Sequence, residues 1–336
     1  LARARTCSMN VPFISVIIPT YNRKESLLRT LHSLSRQTYP AERFEVIVVD
    51  DGGKDDTATV AQHHFPFKLH YLHQTNQGAT FARNLGATLS QGQYLVFVDD
   101  DIELEAPTIQ ALVDELTSRQ QTIVLGTLRL PAELKNDSLF ARLGHQHDSA
   151  QHAAESVPFQ DCMTGLLAVT KQDFRDLGMF QDPTSGWPNW DDVDFGYRAS
   201  RAGFSFWRSS AAVAQHWDYS VADLQTSTQR WYRASRSAPR LFLRHPDLQG
   251  QIPMFRDKDP IEWRRDPPTL VLRKLARQVV SSWPALRSME KIVEVLEPRG
   301  PSPPLMKRLY RWISSAHIYH GYRHGLREIR NQSTTN

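Results

Sequence analysis

The feature that most constrains the fold of this chain is a series of short apolar runs that each end in a polar cluster. The three runs, with the clusters that follow them, are FISVII before PTYN (13–22), FEVIVV before DDGG (44–53) and YLVFV before DDD (94–101). Between the first two runs, leucines recur at helical spacing inside KESLLRTLHSLSRQ. Continuously apolar strands that alternate with amphipathic helices predict an α/β fold whose mostly parallel sheet is covered on both faces.

The polar clusters indicate where a ligand would bind. In open α/β sheets the ligand crevice lies beyond the carboxyl ends of the strands. All three clusters fall at such strand ends, so we expect them to meet at one edge of the sheet. Residues 130–160 are polar and rich in histidine without a clear period, and we expect a long loop or irregular structure there, beside the site.

The aspartate triplet at the third strand end suits a metal ion. Asp99 and Asp101 alternate along an extended chain and point the same way, whereas Asp100 points oppositely and receives no role. Paired carboxylates are hard oxygen ligands for a Mg²⁺ or Mn²⁺ ion that also binds substrate phosphates. His216 ends a later apolar run and could add an imidazole ligand. A solvated acidic turn is the alternative interpretation of the triplet.

A second acidic cluster follows Trp190 in the segment GWPNWDDVDFGYRASRAG. Asp191 and Asp192 near a helix start are favoured by the helix dipole, which is a purely structural explanation. A carboxylate there could also act as general base toward a hydroxyl nucleophile. Trp187 and Trp190 offer flat faces for sugar rings, or they close a hydrophobic loop.

Composition excludes several classes of protein. The 336 residues carry a net charge of +4 and two cysteines, so a disulfide framework is excluded and a cytoplasmic, reducing location is expected. No apolar run approaches the ~20 residues of a transmembrane helix. Residues 1–8 are interpreted as an extension before a start at Met9.

Two domains are expected, a sheet domain at 10–220 and a helical extension at 221–330. The sheet domain would bind a nucleotide through 10–130 and an acceptor through 131–220. The basic, aromatic helices of the extension are either solvated faces or a peripheral contact with an anionic membrane, on its inner face. Nothing before residue 221 supports a nucleic-acid partner.

The order of the motifs strongly resembles family 2 of the glycosyltransferases. The matching segments begin with SVIIPTYNRKESLL, FEVIVVDDGGKDDT and QGATFARNLGA, and continue with YLVFVDDDIEL, WDDVDFGYRASRAG and QH. They cover roughly residues 14–217, in the family's order and at compatible spacings. The resemblance implies a GT-A fold, which is Rossmann-like. It also implies a nucleotide-diphospho-sugar transferase that inverts the configuration at the anomeric carbon and depends on a divalent metal ion.

The resemblance also implies a role for each matching residue. The contacts to the base and ribose of a UDP-, GDP- or dTDP-sugar would be Pro19, Thr20, Tyr21, Asn22 and Asp51. Arg83 would help to hold the nucleotide. Asp99 and Asp101 would form the D-x-D pair, with Asp101 as the direct ligand of Mg²⁺ or Mn²⁺ and His216 beside it. Asp192 would be the catalytic base, with Asp191 as the first acid of the same motif, where the family usually has Glu.

Other classes of protein use some of the same features. An inverting glycosidase also needs two carboxylates but no metal or nucleotide. A nucleotidyltransferase would carry a Gly-rich basic loop after the first strand, which PTYNRKES is not. A non-catalytic nucleotide-sugar-binding or scaffold protein of the same fold is the remaining alternative. The acceptor would be a glycan or a lipid-linked saccharide; the sequence specifies neither the acceptor nor the donor sugar.

Overall fold

The computed structural model describes residues 11–144, 154–181, 190–300 and 302–335. Its strands are β1 (Ile14–Thr20), β2 (Phe44–Asp50), β3 (Lys68–His73), β4 (Tyr94–Val98), β5 (Ile102–Leu104), β6 (Thr122–Arg129), β7 (Glu155–Ser156), β8 (Leu166–Thr170) and β9 (Ser205–His216). Its helices are α1 (Lys24–Leu34), α2 (Ala79–Leu89), α3 (Thr108–Ser118), α4 (Ala132–Asp137), α5 (Leu139–Gly144), α6 (Lys171–Asp176), α7 (Asp191–Arg201), α8 (Leu224–Arg244), α9 (Pro268–Val280), α10 (Trp283–Leu296) and α11 (Pro303–Thr335).

The strands form one mixed sheet in the order β3-β2-β1-β4-β8-β6-β9-β5, with β7 paired to β9. The four strands from β3 to β4 run parallel, as does the β6–β9 pair, whereas β8 runs antiparallel to both of its neighbours. Strand order reverses at β1, which lies between β2 and β4. Ligand crevices form at such a reversal, so the fold places a binding edge at the carboxyl ends of β1, β2 and β4.

Helices cover both faces of the sheet, as the continuous apolar runs predict. Side chains alternate along β4, so Val96 and Val98 pack in one core with α1 and α3. Leu95 and Phe97 point to the opposite face and pack in a second core that contains residues of α6, α7 and α8. Burial on both faces explains why these strands lack the polar alternation of a half-exposed sheet.

After β2 the chain forms a 3₁₀ helix (Asp56–Gln62), and the Asp55 carboxylate caps it by accepting a hydrogen bond from Thr57 N at 3.1 Å. One expectation about local structure was wrong. The segment 130–160, expected to be a loop, contains α4 and α5 within its described part. Each of these helices has six residues, which is too short for an apolar period to show in the sequence.

Every regular element described after β9 is helical, as predicted. Among them, α8 packs along α11 at very short range. A Cβ at Gly321 would lie 2.2 Å from the Tyr232 carbonyl oxygen, and one at Gly325 would lie 2.0 Å from that of Arg236. Only glycine allows two helix backbones to approach so closely. Tyr322 lies next to this contact and is buried in the second core, which also contains residues of α7.

A third, smaller core is separate from the two cores on the sheet faces. Apolar side chains of α5, α10 and α11 pack together in it. Among the described residues, no helix combines the length and apolarity needed to cross a membrane. The division into domains at residue 220 stays a prediction.

Candidate active site

The polar clusters at the ends of β1 and β4 are joined by direct hydrogen bonds. Thr20 Oγ1 donates to Asp100 Oδ2 at 2.7 Å, and Thr30 Oγ1 of α1 donates to the Asp100 carbonyl oxygen at 3.0 Å. Parallel pairing of β1 with β4 brings these two strand ends side by side. The sheet therefore assembles the strand-end cluster that the sequence predicts.

Each aspartate of the triplet faces a different set of cationic groups. Arg83 Nη2 donates to Asp99 Oδ1 at 2.6 Å. Arg23 Nη1 donates to Asp100 Oδ1 at 3.1 Å and to Asp101 Oδ2 at 2.9 Å. These contacts offset the repulsion among three adjacent carboxylates. Arg23 was missed by the sequence analysis, although a basic residue that follows a strand-end cluster directly is a natural counter-ion for it.

Asp101 and His216 form the part of the site best suited to a cation. Strand pairing of β5 with β9 aligns Ile102 with His216, so the imidazole lies beside Asp101. His216 Nε2 is 3.4 Å from Asp101 Oδ1, which is buried and has no hydrogen-bond partner among the described residues. An orphaned carboxylate oxygen and an imidazole nitrogen that face the same point fit two ligands of a divalent ion.

The electrostatics of this pair agree with its geometry. Burial alone would raise the pKa of Asp101, but His216 and Arg23 hold it below its ordinary value. Burial would lower the pKa of His216, whereas its contact with the Asp101 carboxylate raises that pKa overall. No group of three or more His, Cys, Asp or Glu side chains arranged to hold a metal occurs within the described ranges, so the substrate phosphates would have to complete the coordination.

The second acidic cluster lies at the start of α7. Thr80 Oγ1 donates to Asp191 Oδ2 at 3.0 Å, and Arg83 Nη1 donates to the same oxygen at 3.3 Å. Asp192 Oδ1 accepts a hydrogen bond from Val193 N at 2.7 Å. Loss of hydration, together with the charge of Asp191, raises the pKa of Asp192 to about 7. A carboxylate with such a pKa can take a proton at neutral pH.

Arg83 connects the two acidic clusters. Its side chain is buried, and its two terminal nitrogens contact Asp99 after β4 and Asp191 on α7. The sequence resemblance implies a contact of Arg83 to the nucleotide, and the structure places Arg83 between Asp99 and Asp191. Thr80, which also contacts Asp191, is a further residue that the sequence analysis missed, since nothing in QGATFARNLGA distinguishes it.

The residues expected to bind the nucleotide lie together around the ends of β1 and β2. Asp51 is buried and accepts three hydrogen bonds, from Gln74 Nε2 at 2.7 Å, Gln77 N at 2.8 Å and Gly78 N at 2.7 Å. These bonds hold the loop that precedes α2. Asn22 has a left-handed backbone with φ of 53° and accepts from Lys54 N at 2.7 Å.

The two residues on either side of Thr20 differ in their exposure. Pro19 is buried within β1, aligned with Val49 of β2, whereas the Tyr21 ring is 47% exposed. Only Tyr21, of the two, therefore presents its side chain at the surface beside the strand ends.

Trp190 does not offer a surface to a sugar. Its indole is buried, packs against Phe255, and donates a hydrogen bond from Nε1 to the Ala234 carbonyl oxygen of α8 at 2.8 Å. The sugar-stacking interpretation of Trp190 was therefore wrong, because α8 covers the ring. Trp187, the other tryptophan considered, and the expected start at Met9 lie outside the described residues.

Comparison with known proteins gives consistent matches. The family model for glycosyl transferase family 2 matches residues 15–144. Glycosyltransferase AglE of Haloferax volcanii is 28% identical over 214 residues, which cover 61% of this chain and 67% of AglE. The putative teichuronic acid biosynthesis glycosyltransferase TuaG of Bacillus subtilis is 25% identical, with 67% of this chain and 86% of TuaG covered.

Other similar proteins extend the comparison. Validoxylamine A glucosyltransferase of Streptomyces hygroscopicus subsp. jinggangensis is 27% identical; the match covers 69% of this chain and 64% of that protein, less than two thirds of its length. Among solved structures, this chain superposes on mannosyltransferase PcManGT from Pyrobaculum calidifontis, solved in complex with GDP-Man and Mn²⁺, with a TM-score of 0.62. The two sequences are 18% identical, and the match covers 95% of this chain and 88% of PcManGT. At this identity the likeness shows the fold.

Proposed function

Because residues 15–144 match the family model for glycosyl transferase family 2, we propose that this chain moves a sugar from a nucleotide-diphosphate donor to an acceptor hydroxyl with inversion at the anomeric carbon. The observation that carries the proposal is the placement of Asp192. Its carboxylate, with a pKa of about 7, lies next to Asp191, which Arg83 connects to the strand-end aspartate Asp99. These contacts support a single site in which Asp192 would be the general base and the strand-end edge would bind the phosphates.

The donor would bind along the carboxyl ends of β1, β2 and β4. The base and ribose would be held by the segment 19–22 and by the loop that Asp51 organises. Mannosyltransferase PcManGT is described with GDP-Man, which supports a nucleotide sugar as donor here without choosing among UDP, GDP and dTDP. The diphosphate would lie at the aspartate triplet, where Arg23 and Arg83 provide positive charge.

Asp101 and His216 would hold a Mg²⁺ or Mn²⁺ ion, with Asp99 beside them. Bound there, the ion would neutralise the diphosphate and stabilise it as a leaving group. PcManGT is described with Mn²⁺, which supports a divalent cation in this chain. Asp99 accepts a hydrogen bond from Arg83, so its carboxylate would lie between the arginine and the cation.

The chemical step would use Asp192 as the base. Asp192 takes the proton of the acceptor hydroxyl while that oxygen attacks the anomeric carbon. The bond from the anomeric carbon to the phosphate oxygen breaks on the opposite face, and its electron pair leaves with the nucleoside diphosphate. A single displacement inverts the configuration. Asp191, held by Thr80 and Arg83, lies at the start of α7, and its interaction with Asp192 adds to burial in raising the pKa of Asp192.

The acceptor would be a glycan or a lipid-linked saccharide. A cavity of about 700 Å³ lies between α5, α8 and α11, a volume usual for ligand sites. Aromatic and cationic side chains line it, among them Trp231, Tyr310 and Arg311. Trp231 lies one helical turn before Ala234, whose carbonyl oxygen accepts the hydrogen bond from Trp190, so the same helix lines the cavity and covers the residue that precedes α7.

A thermal-shift panel tests the donor part of the proposal. Purified protein would be heated with UDP-, GDP- and dTDP-sugars, each with Mn²⁺ or with EDTA. We expect one nucleotide class to raise Tm, and the shift to disappear with EDTA and in Asp101→Ala. If no nucleotide sugar raises Tm, or if the shift persists fully in EDTA, the proposed donor chemistry is wrong.

The acceptor class has its own assay. With the donor identified, the protein would be incubated with the radiolabelled donor and a membrane extract that supplies acceptors. The labelled products would then be separated into a butanol-soluble and a water-soluble fraction. Butanol-soluble label indicates a lipid-linked acceptor and water-soluble polymer indicates a glycan. Trp231→Ala should reduce transfer while leaving the donor-induced Tm shift unchanged. Unchanged transfer in that variant would exclude the cavity as the acceptor side.

A further inference from the structure

Helix α9 exposes three of its apolar residues and turns two of its charged residues, Lys274 and Arg277, toward the protein. Leu272, Leu275 and Val279 are 68%, 40% and 71% exposed, and their spacing places them on one face of the helix. We call these three residues the α9 stripe. Surface helices of globular proteins normally direct such a stripe into the core. An exposed stripe of this kind marks an interaction surface.

The inverted orientation of α9 is held by ion pairs. Lys274 is buried, and its Nζ donates to Asp266 Oδ2 at 2.7 Å and to the Pro260 carbonyl oxygen at 3.0 Å. Arg277 Nε donates to Asp257 Oδ2 at 2.9 Å. These two cationic side chains hold the inner face of α9 against the protein. The α9 stripe therefore points outward because of the ion pairs in the fold.

Two exposed tryptophans flank α9 along the chain. Trp263, in the loop before α9, is 73% exposed, and Trp283, at the start of α10, is 53% exposed. The Trp283 ring stacks on His320 with their centroids 4.2 Å apart, which fixes the indole in place. Tryptophan is the residue most suited to a boundary between water and lipid, because its indole has an apolar body and one polar N–H group.

The charge around the stripe is strongly positive. Residues 261–312 contain eleven Lys and Arg against five Asp and Glu, so this segment alone exceeds the net charge of +4 of the whole chain. Arg264, Arg273 and Arg287 are exposed and form no ion pair within the described part of the chain. An apolar stripe among uncompensated arginines complements a surface that is both apolar and anionic.

The sequence directs attention to α11 as the basic aromatic helix, but the structure uses the apolar side of α11 for packing. Met306, Tyr310, Ile313 and Ala316 are buried with α5 and α10. Tyr322 packs against Phe242 and Phe255 in the second core. Helix α9, whose sequence LVLRKLARQVV looks like an ordinary amphipathic helix, keeps the α9 stripe outside.

We propose that the α9 stripe, with Trp263 and Trp283 at its ends, docks on an anionic phospholipid bilayer with α9 lying in the plane of the headgroups. The stripe enters the acyl boundary and the arginines contact lipid phosphates. This inference concerns the surface of the helical extension and stands whether or not the proposed transfer reaction is correct.

Vesicle co-sedimentation of the full chain tests the docking. Sucrose-loaded vesicles would consist of phosphatidylcholine alone or of phosphatidylcholine mixed with phosphatidylglycerol. We expect binding to the mixed vesicles only, and at least about tenfold weaker binding by Leu272→Glu/Val279→Glu, which removes apolar contact and adds charge repelled by the lipid. Leu89→Glu is the matched control, because Leu89 is 52% exposed at the end of α2, and it should bind as the wild type does.

Three results would overturn the proposal. The first is no binding of the wild type to mixed vesicles, and the second is equal binding by the double variant. The third is a wild-type dimer that the double variant converts to monomer, which would mean that a second copy covers the stripe. The donor-induced Tm shift in solution should be the same in the double variant and the wild type, so a failed donor proposal and a failed docking proposal give different results.

Discussion

Asp100 holds a buried carboxylate at the point where β1 and β4 end together. Burial raises its pKa to about 6, against the opposing effects of the Arg23 charge and the Thr20 hydrogen bond. The side chain thus joins the two strand ends and fixes the backbone that carries Asp99 and Asp101. Asp100 is a positioning residue in this site, which gives the middle aspartate of the triplet a structural role.

Replacing Asp192 by Asn tests the base directly. Asn keeps the size of the side chain but cannot take a proton, so we expect kcat to fall by about 10²–10⁴ while the donor-induced Tm shift is retained. Steady-state kinetics and thermal shift with the same donor would measure the two effects. Near-normal turnover in Asp192→Asn would assign the base to another group.

The pH dependence of the reaction should follow the ionisation of Asp192. Because this carboxyl must be ionised to act as a base, kcat/KM should be low in acid and rise with pH to a plateau, with a midpoint near pH 7. A pH–rate profile of kcat/KM, which reports the pKa of the free protein, measures this. A flat profile from pH 5.5 to 8.5 would contradict the role of Asp192.

The same raised pKa has an opposite effect on stability. The folded state holds the Asp192 proton to a higher pH than the unfolded state does, so ionisation destabilises the fold as pH rises between the unfolded and folded pKa values. Asp192→Asn removes this effect. At pH 8 the variant should therefore melt at a higher temperature than the wild type. A lower Tm of the variant would show that the pKa of Asp192 is not raised in the folded protein.

The candidate residues at strand ends could be predicted because burial of a strand is visible in sequence and fixes where its last residue lies. Asp51, Asp99 and Asp101 follow from this. Arg23 and Thr80 could not, since their partners lie on other elements and no local pattern marks the contact. Trp190 was interpreted wrongly because the helix that buries it begins more than thirty residues later.

At the scale of elements, the α8–α11 contact depends on two glycines. A methyl group at Gly325 would lie 2.0 Å from the Arg236 carbonyl oxygen, so the helices must separate to admit it. We expect Gly325→Ala to lower the free energy of unfolding by about 1–3 kcal/mol, a loss larger than the gain in helix propensity. Urea denaturation would measure the change.

Gly250 provides the control for this variant. A Cβ at Gly250 meets nothing within 4 Å in the described structure, so Gly250→Ala should leave the free energy of unfolding nearly unchanged. Equal effects of the two substitutions would mean that the α8–α11 approach is not a tight constraint.

The elements of the first half were predictable because parallel strands buried on both faces carry unbroken apolar runs. β8 follows the same rule, but its antiparallel direction depends on its neighbours β4 and β6 and cannot be read from LLAVT. The orientation of α9 is likewise invisible in its sequence. The ion pairs of Lys274 and Arg277 with Asp266 and Asp257 decide which face points inward.

At the scale of the whole molecule, the sheet and the helical extension share a core. Ala238 and Phe242 of α8 and Tyr322 of α11 pack in the same cluster as Trp190 and residues of the sheet. The extension therefore completes the hydrophobic core on which α7 lies, in addition to any role in binding the acceptor or the membrane.

Truncation after Ser220 tests this dependence. The truncation would uncover Trp190, which is buried against Ala234 and Phe255 in the full chain. We expect the truncated protein to be insoluble or to bind ANS strongly and to show no donor-induced Tm shift, as a protein with an uncovered core would. A soluble fragment with a cooperative melting transition would show that residues 10–220 fold independently.

The burial of Tyr322 also sets an order of events during synthesis. Tyr322 follows Trp190 by about 130 residues, so α7 leaves the ribosome long before Tyr322 is synthesised. Until then Phe242 and Phe255 lack the ring that packs on them in the folded protein, and the nascent chain carries exposed aromatic surface, which is a binding target for chaperones. The hydrophobic core that the sheet shares with the extension can therefore close only after translation has passed residue 322.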